Sequence, residues 1–429
     1  MIAFDKFYKL GKSSCCFGLL WLMIGCTHAK PPQDQTSTAP PPPGGKDAHS
    51  YLLAGNAYAH QRDFQKAIAS YDQAIALDPK YGPAYVNRGA IKDLQGDEAG
   101  ALSDYDAALK YIPGSYELYL NRGVAKDKSG DHPGALEDYN KAISMNPNAA
   151  VAYADRGATE QELGDRNRAM GDYNQAISIQ PNHPLAYSNR SVLKMDQEDY
   201  SGAVSDSSQT VRLAPNSNLG YYNRGIAEVH LKAYTDAQND FSQAIGIYPN
   251  PKSPDVFISR GVANLQLKNF QGALDDETRA ISMAPSNPEP YIWRGLAQGY
   301  TGHYDLGITD LTQAIALNPT GPEYVYYFRG WVRDVSGDVP NAIKDYSEAI
   351  QLNPNQPYFF FARAIAYKRN NDPANADLDY QKALSIANEK EKADIENEWN
   401  ARKIEHAFFL LFDQLIRVAL PGGMTETGN

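Results

Sequence analysis

The chain is 429 residues long and carries 40 basic against 51 acidic side chains, a formal net charge of −11. That balance excludes the broad basic footprint a nucleic-acid binder needs, so no nucleic-acid partner is expected. Its three cysteines, Cys15, Cys16 and Cys26, all lie within the first 26 residues, which excludes a disulfide framework for the rest of the chain.

At the N-terminus Lys6, Lys9 and Lys12 precede the apolar run "CCFGLLWLMIGC". A run this short cannot cross a hydrocarbon core that takes about 20 residues, and a charged stretch followed by a short apolar one reads as a secretory signal. Its end, Met23-Ile24-Gly25-Cys26, resembles the lipobox of bacterial lipoproteins. The match departs from the pattern at Met23, where leucine is usual, and at Ile24, where a small residue is. The resemblance implies a signal peptide over 1–25, a lipidated Cys26 and attachment to a membrane of the bacterial envelope, the outer membrane's periplasmic face if the source is Gram-negative. An ordinary cleavage elsewhere would instead leave a soluble secreted or periplasmic protein. Residues 26–47 then form a Pro/Thr-rich tether without periodic apolar residues. It would reach about 65 Å as polyproline and roughly 25 Å as a coil.

From residue 48 to 388 the sequence repeats itself. Pro79, Pro113, Pro147, Pro181, Pro215 and Pro249 stand 34 residues apart, and Pro285, Pro319 and Pro354 continue the series after small slips. A small residue recurs as Gly55, Gly89, Gly123 and so on to Ala364, another twelve places later from Ala67 to Ala376, and a third from Ala74 to Ala383, with Thr210 the exception. Small residues at these places let two antiparallel helices approach, while Tyr71, Tyr105, Tyr139, Tyr173, Phe241, Tyr346 and Tyr380 fill the space beside them. Between the helices, Gly96, Gly130, Gly164 and Gly337 stop one helix and an aspartate stands ready to cap the next. Ten such helix–turn–helix copies are expected.

This small-small-small-proline pattern resembles the tetratricopeptide repeat family. The resemblance implies an all-α, right-handed superhelical solenoid of about ten repeats plus a C-terminal helix, with a concave groove that binds proteins or peptides. It does not imply a reaction.

Two positions in each copy carry the functional reading. Arg88, Arg122, Arg156, Arg190, Arg224, Arg260, Arg294, Arg329 and Arg363 occupy one place, and every copy with the arginine has an aspartate sixteen residues later, from Asp104 to Asp379. The first copy has Ala54 and Ser70 instead. A charge beside a close helix contact needs a partner, so an ion pair within each repeat is expected over a ladder of exposed arginines, with pairing to the adjacent copy left open. Just before each arginine stand Asn87, Asn121, Asp155, Asn189 and Asn223, then Ser259, Trp293, Phe328 and Ala362. The repeats resemble the superhelical domain of O-linked N-acetylglucosamine transferase, in which asparagines at this place line the groove and hold a peptide backbone. That resemblance implies a peptide-binding role for the five polar residues, and the aromatic change after them suggests a second half that takes a hydrophobic helix. The asparagines are alternatively just part of the repeat consensus.

Residues 389–405 are charged and read as helical, and residues 404–420 carry an apolar stripe of Ile404, Phe408, Leu411, Leu415 and Val418; 421–429 read as a disordered tail. The stripe fits a helix packed back on the last repeats, a homo-oligomer contact, a partner site or a membrane surface. The eight histidines are scattered, and no metal-ligand, nucleotide-loop or nucleophile motif occurs. No cofactor, metal or catalytic residue is therefore expected. The functional expectation is a non-enzymatic, lipid-anchored scaffold that binds protein or peptide partners; the alternatives are a self-assembling structural element and the regulatory part of an enzyme whose catalyst is another chain.

Overall fold

The computed structural model describes residues 47–401. The expected signal segment 1–25, Cys26 and nearly all of the tether, the apolar stripe within 404–420 and the tail 421–429 lie outside the described residues. Among the described residues there are twenty-one helices and no strand, which is the expected all-α fold. No described helix is long and apolar enough to cross a membrane.

Contacts divide the described chain into two compact units, one of 47–197 with 209–214 and one of 198–208 with 215–401. The first holds the pairs Ala48–His60 with Phe64–Leu77, Gly82–Leu94 with Glu98–Tyr111, Tyr116–Lys128 with His132–Met145, and Ala150–Glu162 with Arg166–Ile179, followed by Pro184–Asp196. The second holds Asn218–His230 with Tyr234–Ile247, Asp255–Gln266 with Phe270–Met283, Glu289–Tyr300 with Tyr304–Ala316, Pro322–Ser336 with Val339–Leu352, and Pro357–Arg369 with Pro373–Ile386. Helix Tyr200–Leu213 has residues in each.

Within a pair the small residues act as the pattern requires. A Cβ built on Gly123 would come within 2.7 Å of Tyr139 Cε1, so any side chain there would push the tyrosine out of its slot. Tyr71, Tyr105, Tyr139, Tyr173, Phe241 and Tyr346 are buried against this glycine position. The turn between helices takes one left-handed residue in every copy: Gly96, Gly130, Gly164, Gly302 and Gly337 in five, and Arg62, Glu198, Lys232, Lys268 and Asn371 in the others. Asp63, Asp97, Asp131 and Asp165 then accept from the backbone N–H three residues on, satisfying donors the helix start leaves open.

The second unit departs from the aromatic pattern in its core. Seven of the ten repeats have tyrosine or phenylalanine at one place, and Ser207, Glu277 and Leu311 stand there in the other three. Glu277 is fully buried, and neither of its oxygens has a hydrogen-bond partner. Burial, with Asp276 and Glu289 nearby, drives its carboxyl well above the ordinary range, because a low dielectric and neighbouring negative charge both disfavour the ionised form. After the last repeat, helix Glu389–Ala401 packs back through Trp399, which stacks on Tyr380 at 4.3 Å and lies under the Lys368 ammonium at 4.1 Å.

Candidate binding face

In repeats 2–4 and 6–10 the arginine grips its own repeat's aspartate with two parallel hydrogen bonds, from Nε and Nη2, at 2.5–3.1 Å. The pairs run from Arg88–Asp104 to Arg363–Asp379, and the aspartates are buried. The alternative of pairing with the adjacent copy holds as well. Nη1 reaches back to the preceding repeat, to Asp72, Asp106, Asn140 and Asn174 in the first unit, at 2.5–2.7 Å. In the second unit it meets Ser208, Ser242, Thr278, Thr312 and Ser347 at 3.0–3.4 Å. Eight of the guanidinium groups also lie beside the ring three residues before them, as Arg122 lies 5.7 Å from Tyr119. A planar cation with five donors can hold two helices and a neighbouring repeat at once, which lysine's single ammonium cannot.

The polar row before the arginines is less open than the sequence suggests. Asn87 is 9 % exposed, Asn189 6 % and Asn223 0 %, whereas Asn121 and Asp155 are partly exposed. Asn87 Nδ2 donates to Asn56 Oδ1 at 2.7 Å, and the Tyr71 hydroxyl donates to the same oxygen at 2.9 Å, so this amide joins repeat 2 to repeat 1. Asn189 Oδ1 is buried with no hydrogen-bond partner. The five side chains therefore do not form one open row: Asn87, Asn189 and Asn223 are buried, and Asn121 and Asp155 reach the surface in part. Farther along, Ser259, Trp293 and Phe328 are fully buried, and residues 404–420, which carry the apolar stripe, lie outside the described residues.

The description "Tetratricopeptide repeat" matches residues 48–81, 116–149, 150–183 and 234–288, and "TPR repeat" matches 336–371. The matches at 48–81, 116–149 and 150–183 each coincide with one helix pair. Over the matched residues the chain carries tetratricopeptide repeats. Similar solved structures include the APC/C hetero-tetramer Cut9-Hcn1, at 14% identity over 86% of this chain and 79% of that one with a TM-score of 0.48. A tetratricopeptide repeat protein from Parabacteroides merdae is 19% identical over 58% of this chain and 98% of its own, TM-score 0.42. Yeast Tom70 is 15% identical over 84% and 90%, TM-score 0.39. No curated protein matches the sequence significantly.

Successive tetratricopeptide repeats also meet along a seam that the sequence reading missed. The end of each first helix and the start of each second helix face the next repeat's first helix. In the first unit, Phe64 and Leu94 share one apolar cluster. At the next seam Lys128 pairs with Asp93 at 2.9 Å. His132 Nδ1 then lies 2.8 Å from Asp127 and 3.8 Å from Glu162, and Gln161 Nε2 lies 3.5 Å from Asp196. In the second unit the seam turns aromatic: Tyr200 stacks on His230 at 4.4 Å, Phe270 on Tyr300 at 5.1 Å, and Tyr300 meets Trp331 at 4.9 Å. An ion pair returns where Arg369 meets buried Asp334 at 2.8 Å. The partners stand 30–31 or 35 residues apart, a periodicity visible in the sequence once the repeats are aligned.

Four residues after the arginine, the array tunes charge. Lys92, Lys126 and Arg333 add a second cation to the repeat's aspartate at 2.7–2.9 Å. Glu160 and Glu228 take that place in repeats 4 and 6. Burial and the neighbouring Asp172 push Glu160 up to about 7, and burial with Asp240 pushes Glu228 up to about 8, against the opposing pull of Arg156 and Arg224.

Proposed function

We propose that the chain is a non-enzymatic, lipid-anchored scaffold of the bacterial cell envelope that binds a protein or peptide partner on its repeats. The observation that carries the partner-binding part is the pair Asn121 and Asp155. They repeat one register apart, are partly exposed, and ride on first helices fixed by the Arg122 and Arg156 pairs. An amide offers both donor and acceptor to an extended chain, and a carboxylate beside it favours a backbone N–H or a basic side chain. Held in place before binding, such groups lose little entropy when a partner arrives. Anchorage rests on the lysine-flanked apolar run ending at Cys26.

A photo-crosslinking residue at Asn121 in cells should capture a partner that the same residue at exposed Glu137, on the second helix, does not. Asn121→Ala with Asp155→Ala should weaken that capture by about 0.5–1.5 kcal/mol per lost hydrogen bond and leave the melting temperature unchanged. Equal capture at both positions, or variants that melt the array without changing binding, would remove this face as the site. Cys26→Ser should abolish lipid labelling and release the chain from membranes, since acyl chains supply anchorage that the tether lacks; unchanged membrane association would overturn the anchor.

A further inference from the structure

We propose that Asp127, His132 and Glu162 form a binding site for one divalent first-row transition-metal ion, with zinc as the reference ion, at the seam between repeats 3 and 4. Asp127 lies near the end of helix Tyr116–Lys128, His132 opens helix His132–Met145, and Glu162 closes helix Ala150–Glu162. One ligand atom from each lies within 4.8 Å of the others. His132 Nδ1 is 2.8 Å from Asp127 Oδ1 and 3.8 Å from Glu162 Oε2. Zinc held at about 2.0–2.1 Å by imidazole and carboxylate would set its ligand atoms roughly 3.3 Å apart. One separation must open by about 0.5 Å and the other close by about as much, within the reach of side-chain rotation.

A second observation comes from the other seams. Where Asp93 and Asp334 stand at the matching place, a permanent cation faces them, Lys128 and Arg369. At Asp127 that cation's place is taken by Glu162, a second carboxylate, and His132 stands against both; an imidazole is a metal ligand in its neutral form. The site also has the support a metal ligand needs, since the buried Thr159 hydroxyl lies 3.0 Å from Asp127 Oδ1 and can orient it. The side chains of His132, Asp127 and Glu162 are 25 %, 13 % and 20 % exposed, so an ion can enter and a fourth position stays open to water. One imidazole with two carboxylates suits zinc and its neighbours over magnesium or calcium, which prefer all-oxygen shells. Spacings of 5 and 30 residues match no sequence motif, which is why the chain read alone suggests no metal.

Calorimetric titration of the full, untagged chain with ZnCl2 should show one equivalent bound with micromolar or tighter affinity, and cobalt in its place should give visible d–d absorption. His132→Ala should weaken zinc binding by more than about tenfold and abolish the cobalt bands. Glu162→Gln, which keeps the side chain's shape, should weaken it in the same direction with an unchanged circular dichroism melt, and His303→Ala, in the second unit, should change nothing. Absence of micromolar zinc binding, or binding by His132→Ala equal to that of the parent, would show that the three residues are only a hydrogen-bonded seam.

Discussion

The two compact units use the same arginine–aspartate pair inside their arginine-bearing repeats but join those repeats by different chemistry. In the first unit, the third guanidinium nitrogen meets carboxylates and amides, Asp72, Asp106, Asn140 and Asn174, and the seams carry Lys128–Asp93 and the Asp127–His132–Glu162 group. In the second unit that nitrogen meets hydroxyls, and the seams carry stacked rings from Tyr200 to Trp331. The constant pair holds each helix hairpin, while the variable joint sets how a repeat senses its surroundings. Asp72 and Asp106 side chains are about half exposed, so their contacts contribute roughly 0–1 kcal/mol and are screened by salt. Ring stacking adds about 0.5–1.5 kcal/mol per pair and ignores salt. Polar, titratable joints gather in the first unit, which also displays Asn121 and Asp155.

The largest expected effect tests the constant element. Arg156→Ala leaves Asp172 beside Glu160 with no cation between them, and should destabilise by about 3–5 kcal/mol. Arg122→Ala should cost less, because Lys126 still reaches Asp138 at 2.9 Å. The double change Arg156→Ala with Asp172→Ala should be milder than Arg156→Ala alone. Chemical denaturation measures all of these; simple additivity in the cycle would mean that the two groups do not act as a pair.

Much of this was legible in the sequence for a physical reason. Close packing inside a helix pair depends on residues within one repeat, so Gly123 against Tyr139, and Arg122 sixteen residues before Asp138, follow from periodicity and the need of a buried charge for a partner. What lies between repeats depends on how neighbours stack. The reach of Arg122 Nη1 to Asp106, the bond from Asn87 to Asn56, and the meeting of Asp127 with Glu162 belong to that level. The polar row was read as an open groove because resemblance carries over a residue's place in the repeat, not how closely this chain's next repeat covers it.

A mid-sized effect asks whether titration belongs to the first unit alone. Glu228 in the second unit has its carboxyl pushed up to about 8, above the ordinary glutamate range it takes when unfolded. The folded state therefore holds this proton more tightly, and stability falls as pH rises from about 4.5 to about 8. Glu228→Gln should remove that slope, matching the parent at pH 4 and exceeding it at pH 8.5 by on the order of 1–3 kcal/mol. Glu160→Gln should do the same in the first unit over a lower window, since Glu160 is pushed up to about 7. Parallel pH slopes for parent and variants would mean that both glutamates stay ionised, and the contrast between charged and aromatic joints would then have no counterpart in pH response.

The smallest effect concerns the turns. In the first unit the left-handed position is glycine in three turns, Gly96, Gly130 and Gly164, and Arg62 in another, whereas the second unit has glycine at Gly302 and Gly337 but puts Lys232, Lys268 and Asn371 there at φ of 57–63° in three more. A side chain in this conformation costs roughly 1–2 kcal/mol relative to glycine, although asparagine tolerates it better. Glycine in turn loses more freedom on folding, by about 0.5–1 kcal/mol. The balance favours Lys268→Gly by up to about 1 kcal/mol, with a smaller gain for Asn371→Gly. Both would appear as a rise in denaturation midpoint with unchanged slope. If Lys268→Gly instead destabilises, the lysine makes a compensating contribution, and the turns of the second unit are adapted to its aromatic seams rather than strained by them.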